Sequence, residues 1–123
     1  MSQVIRQHVA EIAVGSATSD EINVSGLLFG TIQFRRKDGS AVPTGTWQIE
    51  VNRVKADEVD DDYFEAAKDS LNETVAAIAF GNTNRIFNVP PETMASRKCR
   101  VKLASNLTGD SPLQVVFSCY DNA

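Results

Sequence analysis

The stretch Thr46–Asn52 constrains the chain most. Trp47, Ile49 and Val51 alternate with Gln48, Glu50 and Asn52. Successive side chains of a β-strand point to opposite faces, so one face here is apolar and the other polar. That is the signature of a strand lying over a one-sided core. Burying each of the three apolar side chains is worth roughly 1.5–3 kcal/mol. A single strand cannot supply that burial, so a sheet must lie beside it and a second layer above it. Trp47 is the only tryptophan of the chain and is expected to point inward.

The same alternation recurs. Leu28, Ile32 and Phe34 share one face of a strand that ends at Arg36. Phe87 and Val89 share another, before Pro90-Pro91. Cys99, Val101 and Leu103 alternate with Lys98, Arg100 and Lys102, and Leu113–Tyr120 alternates again through Leu113, Val115, Phe117 and Cys119. Val4–Val14 and Ile22–Gly26 read as further extended segments, Gly26 marking a bend or bulge. Val75–Phe80, with no polar face, reads as a strand buried on both sides. Asp38-Gly39 suits a tight turn that needs positive φ. Eight or nine short, mostly antiparallel strands punctuated by turn signals make an all-β chain, a single-domain, jelly-roll-like β-sandwich. The sandwich domain is expected over residues 10–123, with residues 1–9 as an N-terminal arm or first strand.

Residues 53–71 depart from the pattern. Asp57, Glu58, Asp60, Asp61 and Asp62 form an acidic run read as a solvated loop. It lacks the Asp-x-Asp-x-Asp-Gly spacing and distal glutamate of a calcium loop. Over 61–71 two readings stand. Phe64, Ala67 and Leu71 at helical spacing after an Asp-rich start give a short helix, whereas Tyr63–Lys68 could pair as a short irregular strand. A single proline-led helical turn fits Pro91–Ser96.

The chain has 123 residues and a formal net charge of −4, with a pI near 4.9. That length holds one core, and that charge disfavours a nucleic-acid partner. No run is long enough to span a bilayer, and the first residues lack the pattern of a secretory signal. The sequons at Asn23, Asn72 and Asn106 therefore carry little weight. Cys99 and Cys119 read as two buried thiols, although neighbouring strands could also bridge them. His8 is the only histidine, so a triad, a histidine-ligated metal site or a histidine acid–base pair lacks its partners. No nucleophile-elbow, phosphate-loop or dinucleotide-binding motif occurs. The reading is of a non-enzyme without catalytic residues, metal or cofactor. Lys98, Arg100 and Lys102 on one outward face, with Arg35 and Arg36 near a strand end, read either as a solvated charged face or as a docking stripe for an acidic surface.

The order of motifs resembles small β-sandwich structural proteins of tailed bacteriophage virions. The resemblance rests on Ile22-Asn-Val-Ser-Gly, Gly30-Thr-Ile-Gln-Phe, Thr46-Trp-Gln-Ile-Glu-Val, Val89-Pro-Pro-Glu and Lys98-Cys-Arg-Val-Lys-Leu-Ala-Ser, and spans roughly Ala10 to Tyr120. The chain departs from that pattern in the acidic insertion after Val51 and in lacking an Asp-Gly-Ser/Thr-aromatic segment behind the tryptophan strand. The resemblance implies a virion component made in the host cytoplasm, either a capsid decoration or cement protein or a tail, baseplate or fiber accessory. Its partners would be the major capsid protein or other virion proteins, and sister copies in a homo-oligomer, with a trimer favoured. Val4, Ile5 and Val9 and the acidic loop are then expected in contacts, and deletion of residues 2–8 is expected to leave the fold intact. A carbohydrate-binding jelly roll is the competing class. It would need exposed aromatics, for which Tyr63, Phe64 and Tyr120 are the candidates.

Overall fold

A computed structural model describes residues 4–24, 29–52, 64–68, 71, 73–74, 76–81, 86–89 and 98–120. The acidic run 57–62 and the expected turn at 91–96 lie outside the described residues.

Among the described residues nine strands form two antiparallel sheets. They are β1 (Val4–Ile12), β2 (Ile22–Asn23), β3 (Phe29–Arg36), β4 (Gly45–Asn52), β5 (Glu65–Ala66), β6 (Ile78–Phe80), β7 (Ile86–Asn88), β8 (Lys98–Leu103) and β9 (Leu113–Tyr120). One sheet has the order β1-β9-β3-β7. The other runs β2-β8-β4-β5, and β6 also pairs with β4. The pairs β1·β9, β2·β8, β3·β7 and β4·β5/β6 follow from a chain that runs out and returns antiparallel to itself. β3 against β9 and β4 against β8 then close the two sheets. The all-β sandwich expected from the alternation is the architecture found.

Inward positions match the apolar parity of each strand. Trp47, Ile49 and Val51 on β4 face the core with Ile32 and Phe34 on β3, Cys99, Val101 and Leu103 on β8, and Leu113, Val115, Phe117 and Cys119 on β9. Trp47 is 1% exposed. Its indole meets the rings of Phe34 and Phe87 edge-on, with centroids 5.6 and 5.5 Å away, and Phe34 stacks on Phe80 at 4.8 Å. This aromatic cluster joins strands of both sheets and supplies the layer that β4 alone could not.

Several expectations need correction. The helical reading of 61–71 does not hold over its described part, because Glu65–Ala66 pairs with Val51 and Glu50. The open edge of β4 offers hydrogen bonds that a lone helical turn would forgo, and Leu71, at the spacing of the supposed apolar face, is 78% exposed. The run Val75–Phe80 is not buried on both sides. Among its described residues Ala76, Ala77 and Ala79 are exposed, Ile78 is partly buried and Phe80 is buried, as befits a short edge strand. Of the two readings of residues 1–9, an arm or a first strand, the strand describes residues 4–9, but the expected tolerance of an N-terminal deletion does not follow. β1 is paired with β9 from Val4 onward through one bulge near Ile5, so removing residues 2–8 would strip more than half of an integral strand.

Candidate interaction surfaces

The basic residues of β8 are not a free stripe. Lys98 Nζ lies 2.9 Å from Glu21 Oε2, and Arg100 Nε donates to Glu50 Oε1 at 2.8 Å. Lys102 Nζ is 3.9 Å from the other oxygen of Glu50. The register explains this: Arg100 and Glu50 are directly opposed across β8 and β4, where cross-strand pairs of opposite charge are favoured. The Arg100 guanidinium also lies over the Phe64 ring, 4.2 Å from its centroid, with Lys98 Nζ at 5.8 Å. This outer face is charge-compensated, and Phe64 is covered rather than presented.

Arg36 serves the fold. Its Nη1 donates to the carbonyl oxygen of Ser111 at 2.6 Å and its Nη2 to that of Thr108 at 2.8 Å. Lys37 N–H donates to Pro112 and Asp38 N–H to the Ser111 hydroxyl. Together they fasten the 104–112 loop to the end of β3. In the next turn, which passes through Gly39 at φ +80°, the Ser40 hydroxyl donates to Asp38 and holds its carboxyl below the usual range. Arg35, by contrast, is exposed and donates to Gln114 at 2.8 Å.

The outer face of the β1-β9-β3-β7 sheet differs in kind. Register aligns Val9, Val116, Gln33 and Ile86 in one row across all four strands. Val9 is 49% and Ile86 64% exposed. The row on one side is Gln7, Ser118, Thr31 and Asn88, all uncharged, and that on the other is Glu11, Gln114 and Arg35. Sequence reasoning missed this row because its members come from four strands. Each is an ordinary exception on its own strand, and only pairing lines them up.

A cleft of about 130 Å³ opens between Pro43–Thr46, Phe80 and Leu103–Thr108. It is lined by hydroxyls, one amide and mostly buried apolar groups, with no charge. Phe80 is 9% exposed and provides no stacking platform. Among the described residues no His, Cys, Asp and Glu side chains gather in metal-ligating groups. His8, half-buried on the inner parity of β1, has an Nε2 without a hydrogen-bond partner. Cys99 and Cys119 form no disulfide, are fully buried and belong to opposite sheets, not to neighbouring strands. Burial, and then the proximity of Cys119, push the Cys99 thiol up to about 12, so it is inert as a nucleophile.

No known family model, curated protein sequence or solved structure matches the chain.

Proposed function

We propose that the chain is a non-enzymatic structural protein of a tailed-bacteriophage virion, a capsid decoration or cement protein that bridges and stabilises shell subunits. The observation that carries the reading is the winding of the sheets. A chain paired β1 with β9, β2 with β8, β3 with β7 and β4 with β5 and β6 is one long antiparallel ribbon folded over. We read that nested pairing as jelly-roll-like, a winding that viral capsid domains and lectins use among others. It joins the motif resemblance over Ala10–Tyr120 as a second, independent support. Fold alone does not fix function. The single histidine of the sequence leaves a histidine-ligated centre without ligands.

The surface best suited to the shell is the row Val9, Val116, Gln33 and Ile86. It is broad, nearly uncharged and apolar in the middle, whereas the opposite outer face is occupied by its own ion pairs. Many weak contacts of this size add up when copies repeat around a closed lattice.

Cryo-electron microscopy of purified particles tests the reading. Density for the sandwich on the outer shell, lost with Ile86→Glu in a chain that still melts normally, is the expected result. Density on the tail or baseplate would replace it with the accessory reading, and absence from purified particles would overturn both.

A further inference from the structure

β1 is an edge strand, and its ladder to β9 fixes which backbone groups point outward. On the neighbouring interface Lys37 N–H donates to the Pro112 carbonyl, so even-numbered residues of β9 bond to β3 and odd-numbered ones bond to β1. The β1 partners of those odd residues are His8, Ala10 and Ile12. Strand alternation therefore turns the N–H and C=O of Gln7, Val9 and Glu11 toward the open edge. Glu11 confirms the parity, because its N–H donates to Asp20 Oδ2 at 3.2 Å and its carbonyl accepts from Asp20 N–H. Asp20 thus covers one end of the edge, and the bulge near Ile5 breaks the other. Between them stand Gln7 and Val9, both exposed, and among the described residues no strand pairs with them on that side.

Native sheets blunt their edges with short strands, lysine, proline, bulges or covering loops. The other edges here are blunted by length: β7 has three residues, and β2 and β5 two each. The segment before β2 also bonds along β8, through Ser19 and Ala17. β1 has nine residues, and neither lysine nor proline guards its open window.

We propose that this window is a self-association site, in which a second copy of the chain pairs β1 with β1 antiparallel about a two-fold axis at His8. Gln7 of each copy then stands opposite Val9 of the other, and all four open backbone groups on each copy find partners. Two features of the edge select a second copy over a foreign strand. The window is symmetric about His8, with two outward residues of equal donor and acceptor content, so a 180° rotation satisfies it completely. In that register Arg6 stands opposite Ala10, so no like charges are opposed within the window between Asp20 and the bulge. The product is one continuous eight-stranded sheet, with the exposed Val9 side chains brought beside each other diagonally. The arrangement is isologous and closes at two. A trimer would have to set β1 against a different edge, and β7 is too short to match it. The inference concerns the isolated chain and does not rest on the virion reading.

Sedimentation of the purified chain over a wide concentration range, with amide hydrogen exchange at both ends of that range, tests it. A monomer–dimer equilibrium is expected. The Gln7 and Val9 amides should be protected only at high concentration, while those of His8 and Ala10 are protected throughout. Val9→Pro deletes an N–H that points away from β9 and makes no bond among the described residues, and edge strands tolerate proline there. Val9→Lys, which leaves the backbone untouched, places an ammonium beside its symmetry mate. Each should weaken dimerisation by about tenfold or more. A chain that stays monomeric throughout, a trimer, or a dimer whose Gln7 and Val9 amides exchange as freely as in the monomer would overturn the proposal.

Discussion

Arg36 and Ser111 are 75 residues apart in the chain, yet the guanidinium Nη1 of one lies 2.6 Å from the carbonyl oxygen of the other. With the second bond to Thr108, one side chain satisfies two carbonyls of a loop that has no strand partner of its own. Hydrogen bonds to a charged donor contribute about 1.5–3 kcal/mol each where buried. For this half-exposed residue Arg36→Ala should cost about 2 kcal/mol in total, seen as a lower midpoint in denaturant, and Arg36→Lys should recover only part of it.

Gly109 lies against the same guanidinium. Its φ is +105°, and an added Cβ would sit 3.0 Å from Arg36 Nη2. Gly109→Ala should therefore destabilise by about 1–3 kcal/mol through backbone strain. Because the neighbour is the end of a flexible side chain, the steric part should vanish in the Arg36→Ala background while the backbone part stays. A double-mutant cycle with fully additive effects would show that the two positions are not in contact.

Trp47 gives a stability series with an unusual middle member. Trp47→Ala should cost about 3–5 kcal/mol. Trp47→Phe should cost much less, because the indole Nε1 is buried without an acceptor and its removal relieves a desolvation penalty of about 1–3 kcal/mol. Thermal or urea melts of both variants check this. In the wild type, Trp47 fluorescence should be blue-shifted and shielded from acrylamide until the chain unfolds.

Cys99 sets an alkaline limit. Its thiol ionises near 9.0 when unconstrained and at about 12 in the folded protein. Below pH 9 both states hold the proton and stability is unaffected. Between 9 and 12 the unfolded state loses its proton first, so stability falls as pH rises. Cys99→Ala should flatten that part of the stability–pH curve. In the native protein at pH 8 neither thiol should react with iodoacetamide over hours, while both should react in denaturant.

Glu50 balances Arg100 and Lys102 from a largely buried position. Glu50→Gln should cost about 1 kcal/mol, since such half-buried pairs are worth more than surface ones and less than fully buried ones. It should also raise retention on a cation exchanger beyond what one unit of net charge predicts. Unchanged relative retention would mean that the cations are already free to act as a docking stripe.

The alternation of Trp47, Ile49 and Val51, and the parallel patterns on β8 and β9, determined by themselves which side chains would be buried. Side-chain direction in a strand is a local property with period two, and an apolar face must find cover. The turn at Asp38-Gly39 was legible for the same reason, since positive φ is a demand made by one residue. What no local rule contains is which strand lies beside which. Pairing made Glu50 the partner of Arg100 and turned an apparent basic stripe into ion pairs. It claimed Glu65–Ala66 for β4 against their helical spacing, and assembled Val9, Val116 and Ile86 into one row. It also left β1 at the end of its sheet, where the same hydrogen-bonding groups that hold the interior strands together find no strand partner among the described residues.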